Sequence, residues 1–318
     1  MGEILQDARA FPEFVCPGEA LTDMIRTGPD QWQSLVGGST WNVARSLAKL
    51  GLSTGFAGAI SCDLFGDALY AASEQAELDC RLIQRYAKSP LLAIVGETSP
   101  PDYFFIGDDA ADLYFDPDAL PTGWDQRLRW AHFGGISLAR PRLAPKLIAL
   151  AQRLKAQGVK ISYDPNFRKL MDANYDATLV TMCGLADVIK VSDDDLIGLF
   201  RNTDLVHNFA KLRAMNPKSM ILYTRGAAGA SLHSHLHLRG DDQDHSWHAQ
   251  PPKIAVVDTV GAGDASIAGL LYSLDQHPER SPQMHLNFAV ASGAAACLAA
   301  GAQAPSVADI APLFASMS

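Results

Sequence analysis

From Trp130 onward the chain alternates short apolar runs with longer stretches of helical period. Trp130 to Phe133, Val159 to Asp164, Val188 to Val191 and Met220 to Tyr223 are β-branched or aromatic and only a few residues long, the pattern of strands buried on both faces. Between them, Leu143 to Gln157, Ala177 to Cys183 and Asp193 to Phe200 carry apolar residues at helical spacing. Strand and helix in strict alternation predict an α/β fold: a doubly wound, mostly parallel sheet between two helical layers. Ligands in such sheets gather at the carboxyl ends of the strands, where this chain places Gly134, Asp164, Ser192, Thr224 and Asp258.

The N-terminal half is less regular. Phe14 to Cys16 predicts a short strand, and the alternation after Gly18 predicts a second strand leaving the core, with Asp23 on the face of Leu21 and Ile25. Ser39 or Thr40 is the expected cap of a helix whose apolar positions are Val43, Leu47 and Leu50, ended by Gly51. Leu52 to Ile60 predicts a further strand. Leu91 to Val95 and Tyr103 to Ile106 predict two more, followed by Asp108 to Asp112 as a solvated loop tip. His233, His235 and His237 alternate along a strand, and a solvated hairpin face is expected there rather than a metal site. The small-residue run Phe288 to Gly301 is too short to span a membrane and predicts a packed helix.

Composition narrows the function. With 318 residues, 48% of them hydrophobic and 19% charged, the chain can bury a sizeable core. A formal net charge of -9 argues against nonspecific binding to nucleic acid or anionic membranes. It does not oppose an anionic nucleotide, since local donors and a divalent metal override the global sign. The five cysteines, Cys16, Cys62, Cys80, Cys183 and Cys297, are scattered and contain no C-x-x-C pair. That pattern, and a start without an apolar signal core, predict reduced thiols and a cytoplasmic protein.

The stretch Asp258 to Ser266 (DTVGAGDAS) carries the most chemistry. Apolar Ile254 to Val257 is expected as a buried strand before it, and Ala265 to Leu274 as a helix after it. A glycine-rich turn at a helix start offers unpaired N–H groups to an anion. Asp264 would repel that anion unless a carboxylate is needed there, as a base that takes a proton from an attacking hydroxyl. A P-loop is excluded, because no lysine follows a glycine anywhere in the chain. A dinucleotide fingerprint is disfavoured by Ser266 in place of its third small residue. An ordinary strand-to-helix turn stays open on residue types alone.

The run closely resembles the C-terminal signature D-T-x-G-A-G-D of the ribokinase-like (PfkB) family of sugar kinases. Gly37-Gly38 with Asn42, and the Leu47 to Gly51 run, resemble the family's N-terminal signature, and the resemblance extends from Gly18 to Ser306. It implies a single ribokinase-like domain over residues 11–318, after a tail of residues 1–10. Lid segments at about 20–35 and 90–118 would form a small β-sheet over the sugar. It implies an ATP-dependent sugar kinase with Mg²⁺ bridging the nucleotide phosphates. Asp264 would be the base, and Gly261, Ala262 and Gly263 the anion hole. Asp23, Gly38, Asn42 and the lid residue Phe105 would bind the sugar, and Arg168 would contact a phosphate or an acidic substrate. Thr224, Arg225, Gly226 and Gly229 resemble the family's nucleotide loop, with Val290 and Ala291 completing the adenine pocket.

The family's N-x-x-E is replaced by Ser192-Asp193-Asp194-Asp195, so Ser192 would donate to ATP and Asp195 would reach Mg²⁺ through water. Asp258, Val260, Gly301 and Ser306 resemble a loop that holds K⁺. Tyr163 to Arg168 (YDPNFR) and His132 to Leu138 (HFGGISL) resemble the fructokinase branch. Fructose, phosphorylated on a primary hydroxyl, is the expected substrate. The alternatives are a ketodeoxygluconate kinase, another sugar or nucleoside kinase of the family, or a non-catalytic sugar- or nucleotide-binding regulator. Lid strands that dock on a second copy are expected to make a homodimer.

Overall fold

The computed structural model describes residues 10–98, 101–234 and 244–317. The strands are β1 (Phe14–Pro17), β2 (Leu21–Gly28), β3 (Gln31–Gly37), β4 (Thr54–Ser61), β5 (Ile83–Tyr86), β6 (Leu92–Thr98), β7 (Pro101–Ile106), β8 (Trp130–Gly134), β9 (Lys160–Asp164), β10 (Val188–Ser192), β11 (Met220–Thr224), β12 (Ala230–Ser234) and β13 (His245–Ala249). The helices are α1 (Ser39–Lys49), α2 (Leu64–Gln75), α3 (Ala144–Ala156), α4 (Asp176–Leu185), α5 (Asp193–Phe200), α6 (Leu205–Met215), α7 (Ala262–Gln276), α8 (Pro282–Ala296) and α9 (Val307–Ala315).

Among the described residues, nine strands form one sheet in the order β13-β12-β11-β10-β9-β8-β1-β4-β5. It is parallel from β5 through β11, and β12 and β13 add an antiparallel edge. Alternate residues of each central strand feed opposite cores. Val15, Phe133, Tyr163 and Val191 pack with residues of α3, α4 and α5. Phe14, Cys16, Trp130, Val188 and Leu222 pack with residues of α1, α7 and α8. Fully buried apolar side chains of this kind contribute roughly 1.5–3 kcal/mol each. This is the expected three-layer architecture.

A second sheet, in the order β3-β2-β6-β7, stands apart from the first. It draws on both predicted lid regions, and β2 pairs in parallel with β6 through Asp23 and Ala93. Its connection to the body is pinned where β7 ends. Arg140, at the end of the turn after β8, donates to the carbonyl of Gly107 and pairs with Asp112 at 2.6 Å. Asp112 is therefore buried, not part of a solvated tip, while Asp109 stays exposed and pairs with Lys88 and Arg142.

Three local expectations are corrected. Ile254 to Val257 is not a buried strand: Val256 and Val257 are exposed, and the Val257 N–H donates to the carbonyl of Cys297 just past α8. Neither Ser39 nor Thr40 caps α1. Its N-cap is Gly38, and the two hydroxyls are used elsewhere, Thr40 Oγ1 on the carbonyl of Glu19 and Ser39 Oγ on Asp264. His233 does not face solvent. It is half-buried, its ring 4.6 Å from that of Phe209, and burial pulls its pKa down to about 4. His235 and His237 lie outside the described residues. No two of the five cysteines are bonded to each other. Among the described residues no helix is long and apolar enough to cross a membrane.

Candidate active site

The carboxyl ends of β1, β8, β9, β10 and β11 open on one edge of the large sheet, facing the small sheet. Between them lies a cavity of about 370 Å³. Its walls include Leu21, Asp23, Ala93 and Phe105 from the small sheet, and Gly38, Asn42, Asn166, Arg168, Ser192, Thr224 and Asp264 from the body.

Asp264 is at the centre of this arrangement. The helix expected from Ala265 begins at Ala262, so Ala262, Gly263 and Asp264 form the first turn of α7. Gly261 is its N-cap, at φ 79, a left-handed conformation that a side chain would oppose. Gly261 and Gly263 line the cavity beside the Asp264 carboxylate, whereas Ala262 N–H is taken up by the Thr259 carbonyl at 3.2 Å. Two donors from the start of α1 hold that carboxylate: Ser39 Oγ donates to Oδ1 at 2.9 Å and Asn42 Nδ2 to Oδ2 at 3.0 Å. Burial pushes the Asp264 pKa up, and the hydrogen bonds from Asn42 and Ser39, then Lys190 and Arg168, act against it. The outcome is a stronger base than an exposed aspartate.

At the end of the cavity nearer the small sheet, Asn42 keeps a second polar atom. Its Oδ1 is buried without a protein partner, an acceptor aimed at a donor that a hydroxyl would supply. Asp23 projects from β2 into the same space. Burial raises its pKa to about 6, against the pull of Arg168 and with help from Asp264. Gly38, at φ 114, brings its backbone so close to the turn between β1 and β2 that a Cβ would lie 2.7 Å from the carbonyl oxygen of Glu19. Arg168 is anchored on its own turn, donating to Asn166 Oδ1 at 2.7 Å and to the Phe167 carbonyl at 2.7 Å.

At the other end, Ser192, Thr224 and Val260 line the cavity. Arg225, Gly226 and Gly229 form the tight turn from β11 into β12, outside the cavity lining, where Arg225 N–H donates to the Gly229 carbonyl. Val290 and Ala291 are buried inside α8, Ala291 among Leu50, Phe288, Ala295 and Ile310. Asp195 is occupied. Its Oδ2 accepts from Ser192 N–H and Oγ–H in a capping box, and its Oδ1 from Phe167 N–H, each bond at 2.7 Å. With both oxygens engaged, it is not placed for direct ligation of a metal. No group of three or more His, Cys, Asp or Glu among the described residues is placed to hold a metal. Mg²⁺ here would rest chiefly on nucleotide phosphates, its usual mode. Of the K⁺ residues, Asp258 accepts from Val260 N–H at 3.1 Å and from Gly301 N–H at 2.8 Å, while Ser306 is committed to capping α9.

Three cavity residues are not signalled by local sequence. Ser39 reads as a cap, and its acceptor Asp264 is 225 residues away. Glu19 is buried under the cavity, accepting from Ser137 Oγ–H and N–H, with its pKa raised by burial to about 7. Lys190 sits inside an apolar strand run, and a lysine there is itself the missed signal.

A buried base at a helix N-terminus, with hydroxyl-binding groups on one side and anion donors on the other, defines a phosphotransferase acting on an alcohol. Residues 12–309 match the profile described as pfkB family carbohydrate kinase. The chain is 31% identical to the fructokinase of Klebsiella pneumoniae over 297 residues, covering 90% of this chain and 93% of that one. Its fold is similar to that of the fructokinase of Xylella fastidiosa with bound ATP, with a TM-score of 0.84, 25% identity, and 96% of this chain and 99% of that chain covered. The aminoimidazole riboside kinase of Salmonella enterica, complexed with its riboside and an ATP analogue, is similar at a TM-score of 0.78 and 25% identity, with 95% and 99% covered. The chain belongs to the pfkB family of carbohydrate kinases.

Proposed function

We propose that this chain transfers the γ-phosphoryl group of ATP to a primary hydroxyl of fructose. The observation that carries the reading is the place of Asp264: its carboxylate is fixed by Ser39 and Asn42 between the Asp23 end of the cavity and the first amides of α7. In this reading Asp23 and the free Oδ1 of Asn42 take the sugar hydroxyls, and Phe105 covers one face of the sugar. The attacking hydroxyl gives its proton to Asp264 as its oxygen bonds to the γ-phosphorus. The bond from that phosphorus to the bridging oxygen of ADP breaks. The amides of Gly261 and Gly263 hold the charge on the moving group, while that of Ala262 stays on the Thr259 carbonyl. Removing one such donor from comparable sites costs about 3–4 kcal/mol. Mg²⁺, when bound with the nucleotide, neutralises phosphate charge, with Ser192 and Asp195 on its side of the cavity. Asp258, with the Val260 and Gly301 segments tied to it, is the proposed place for K⁺.

The choice of fructose rests on two supports. The relatives named above include two fructokinases. The lid residues beside the cavity, Phe105 and Ile106, bring no cation for a sugar acid, while Asp108 and Asp109 follow them. Arg168 is the one arginine in the cavity lining among the described residues, and its guanidinium is already held by its own loop. We extend the proposal to a cytoplasmic homodimer through the small sheet, whose Trp32, Phe104 and Ile106 are exposed. An ADP-release assay across neutral sugars, ribosides and sugar acids tests the substrate. Turnover is expected to be highest on fructose. Strong turnover on 2-keto-3-deoxygluconate with none on fructose would overturn the reading.

A further inference from the structure

Lys190 lies near the carboxyl end of β10 on the face that packs against α7, since its strand neighbours Ile189 and Val191 point into the opposite core. It is only 5% exposed, yet its side chain lines the active-site cavity. Asp164, directly opposite on β9, pairs with its Nζ at 3.0 Å, and Asp195 of α5 stands 3.8 Å away. On the other side is the first turn of α7: a Cβ added to Gly263 would lie 3.0 Å from Nζ. An ammonium beside a helix N-terminus is ill-placed, because both are positive. Burying it costs several kcal/mol before pairing. Arg168 adds a further positive charge to the same cavity. Positive groups from three elements therefore converge on the space in front of Asp264, more than its carboxylate alone needs. Structural pairing with Asp164 explains the charge of Lys190 but not its contact with the cavity.

We infer that Lys190 is a catalytic residue that passes from Asp164 to the transferring phosphoryl group, donating to a γ-phosphoryl oxygen as charge builds there. The inference rests on the kinase reading above. No proton leaves Lys190: the hydroxyl proton still goes to Asp264, and the ammonium contributes charge and a hydrogen bond. The groups facing it are Asp164 and Asp195 from β9 and α5, Asp264 from α7, and more distantly His132 from β8. Burial pulls the Lys190 pKa down, but Asp164 and Asp195 outweigh that and hold the ammonium protonated.

The experiment compares wild type, K190M and D164N by turnover with ATP and fructose. It also measures calorimetric affinities for ADP, for fructose and for a non-hydrolysable ATP analogue, each with Mg²⁺. K190M is expected to lose about 100-fold or more in kcat, with fructose and ADP affinities within threefold of wild type. Its preference for the triphosphate analogue over ADP should fall several-fold. D164N frees the ammonium from its resting partner, so that same preference should rise. Opposite movements of one ratio are not what a purely structural pair would give, and D164N keeps the test decisive if K190M fails to fold. An unchanged ratio in D164N, or K190M turnover within threefold of wild type, would overturn the assignment. A wild-type chain that phosphorylates no sugar would instead overturn the kinase reading itself.

Discussion

Asn42 donates to Asp264 across 222 residues of sequence, at 3.0 Å, from the first turn of one helix to the first turn of another. The two signatures that flank the chain are thus one object in space. In the proposed reaction α1 brings the amide that meets the sugar and α7 the base, and the bond between Asn42 and Asp264 sets where a hydroxyl must stand to be deprotonated. The carboxylate has no freedom to swing toward solvent, because Ser39 holds its other oxygen.

Replacing Asp264 with Asn keeps the shape and removes the base. kcat should fall on the order of 10²–10⁴-fold. Calorimetry should find fructose affinity changed little, since Asp23 and the Asn42 carbonyl are untouched. Turnover that persists near the wild-type rate would show that the proton goes elsewhere.

Ser39→Ala removes one hydrogen bond that opposes the upward pKa shift of Asp264. The carboxyl should then hold its proton to a higher pH. A hydrogen bond to a charged group is worth roughly 1.5–3 kcal/mol, so the acid limb of the kcat profile should move up by about one to two pH units. The check is a rate profile between pH 5 and pH 9, both values chosen to be about two units either side of neutrality.

Asp23 has its pKa raised by burial to about 6. Below that pH it is protonated in the free protein, and one of its oxygens becomes a donor. The fructose KM should therefore rise as pH falls through about 6, more steeply than the KM for ATP. Asp23→Asn should remove this dependence at the cost of a high fructose KM at every pH.

Glu19 makes stability depend on pH. Its folded pKa is raised to about 7 from 4.5, so between those values the native state binds the extra proton. Its contribution is full below the unfolded value and is lost as pH rises through the folded one. Roughly 3 kcal/mol is at stake. Glu19→Gln should flatten the decline in urea-unfolding free energy from acid to alkaline pH, and an unaltered slope would discount Glu19 as its source.

Gly38→Ala tests the backbone at the sugar site. At φ 114, with the Glu19 carbonyl 2.7 Å from the new methyl, alanine must displace the start of α1. A loss of about 1–3 kcal/mol in stability and a raised fructose KM are expected, readable by thermal melts and steady-state kinetics.

The alternation of apolar runs was enough to reveal the parallel sheet, because strands buried on both faces have to be written in β-branched and aromatic residues. Asp264 was legible for a different reason: a carboxylate inside a glycine turn has few purposes. What stayed hidden depended on tertiary partners. Ser39 reads as a cap from its neighbours, and only the approach of α7 gives its hydroxyl another acceptor. Ile254 to Val257 has the composition of a strand, but Val257 N–H donates to the carbonyl just past α8, a partner no local pattern announces. Lys190 hides in plain view, since the eye counts Val188, Ile189 and Val191 and passes over the one charged member of the run.

The cavity's two walls come from separate sheets. Leu21, Asp23, Ala93 and Phe105 belong to the small one, whereas Asp264, Lys190, Ser192 and Thr224 belong to the large one and its helices. Substitutions in β2, β6 and β7 can therefore change which alcohol is accepted while leaving the phosphoryl-handling wall intact.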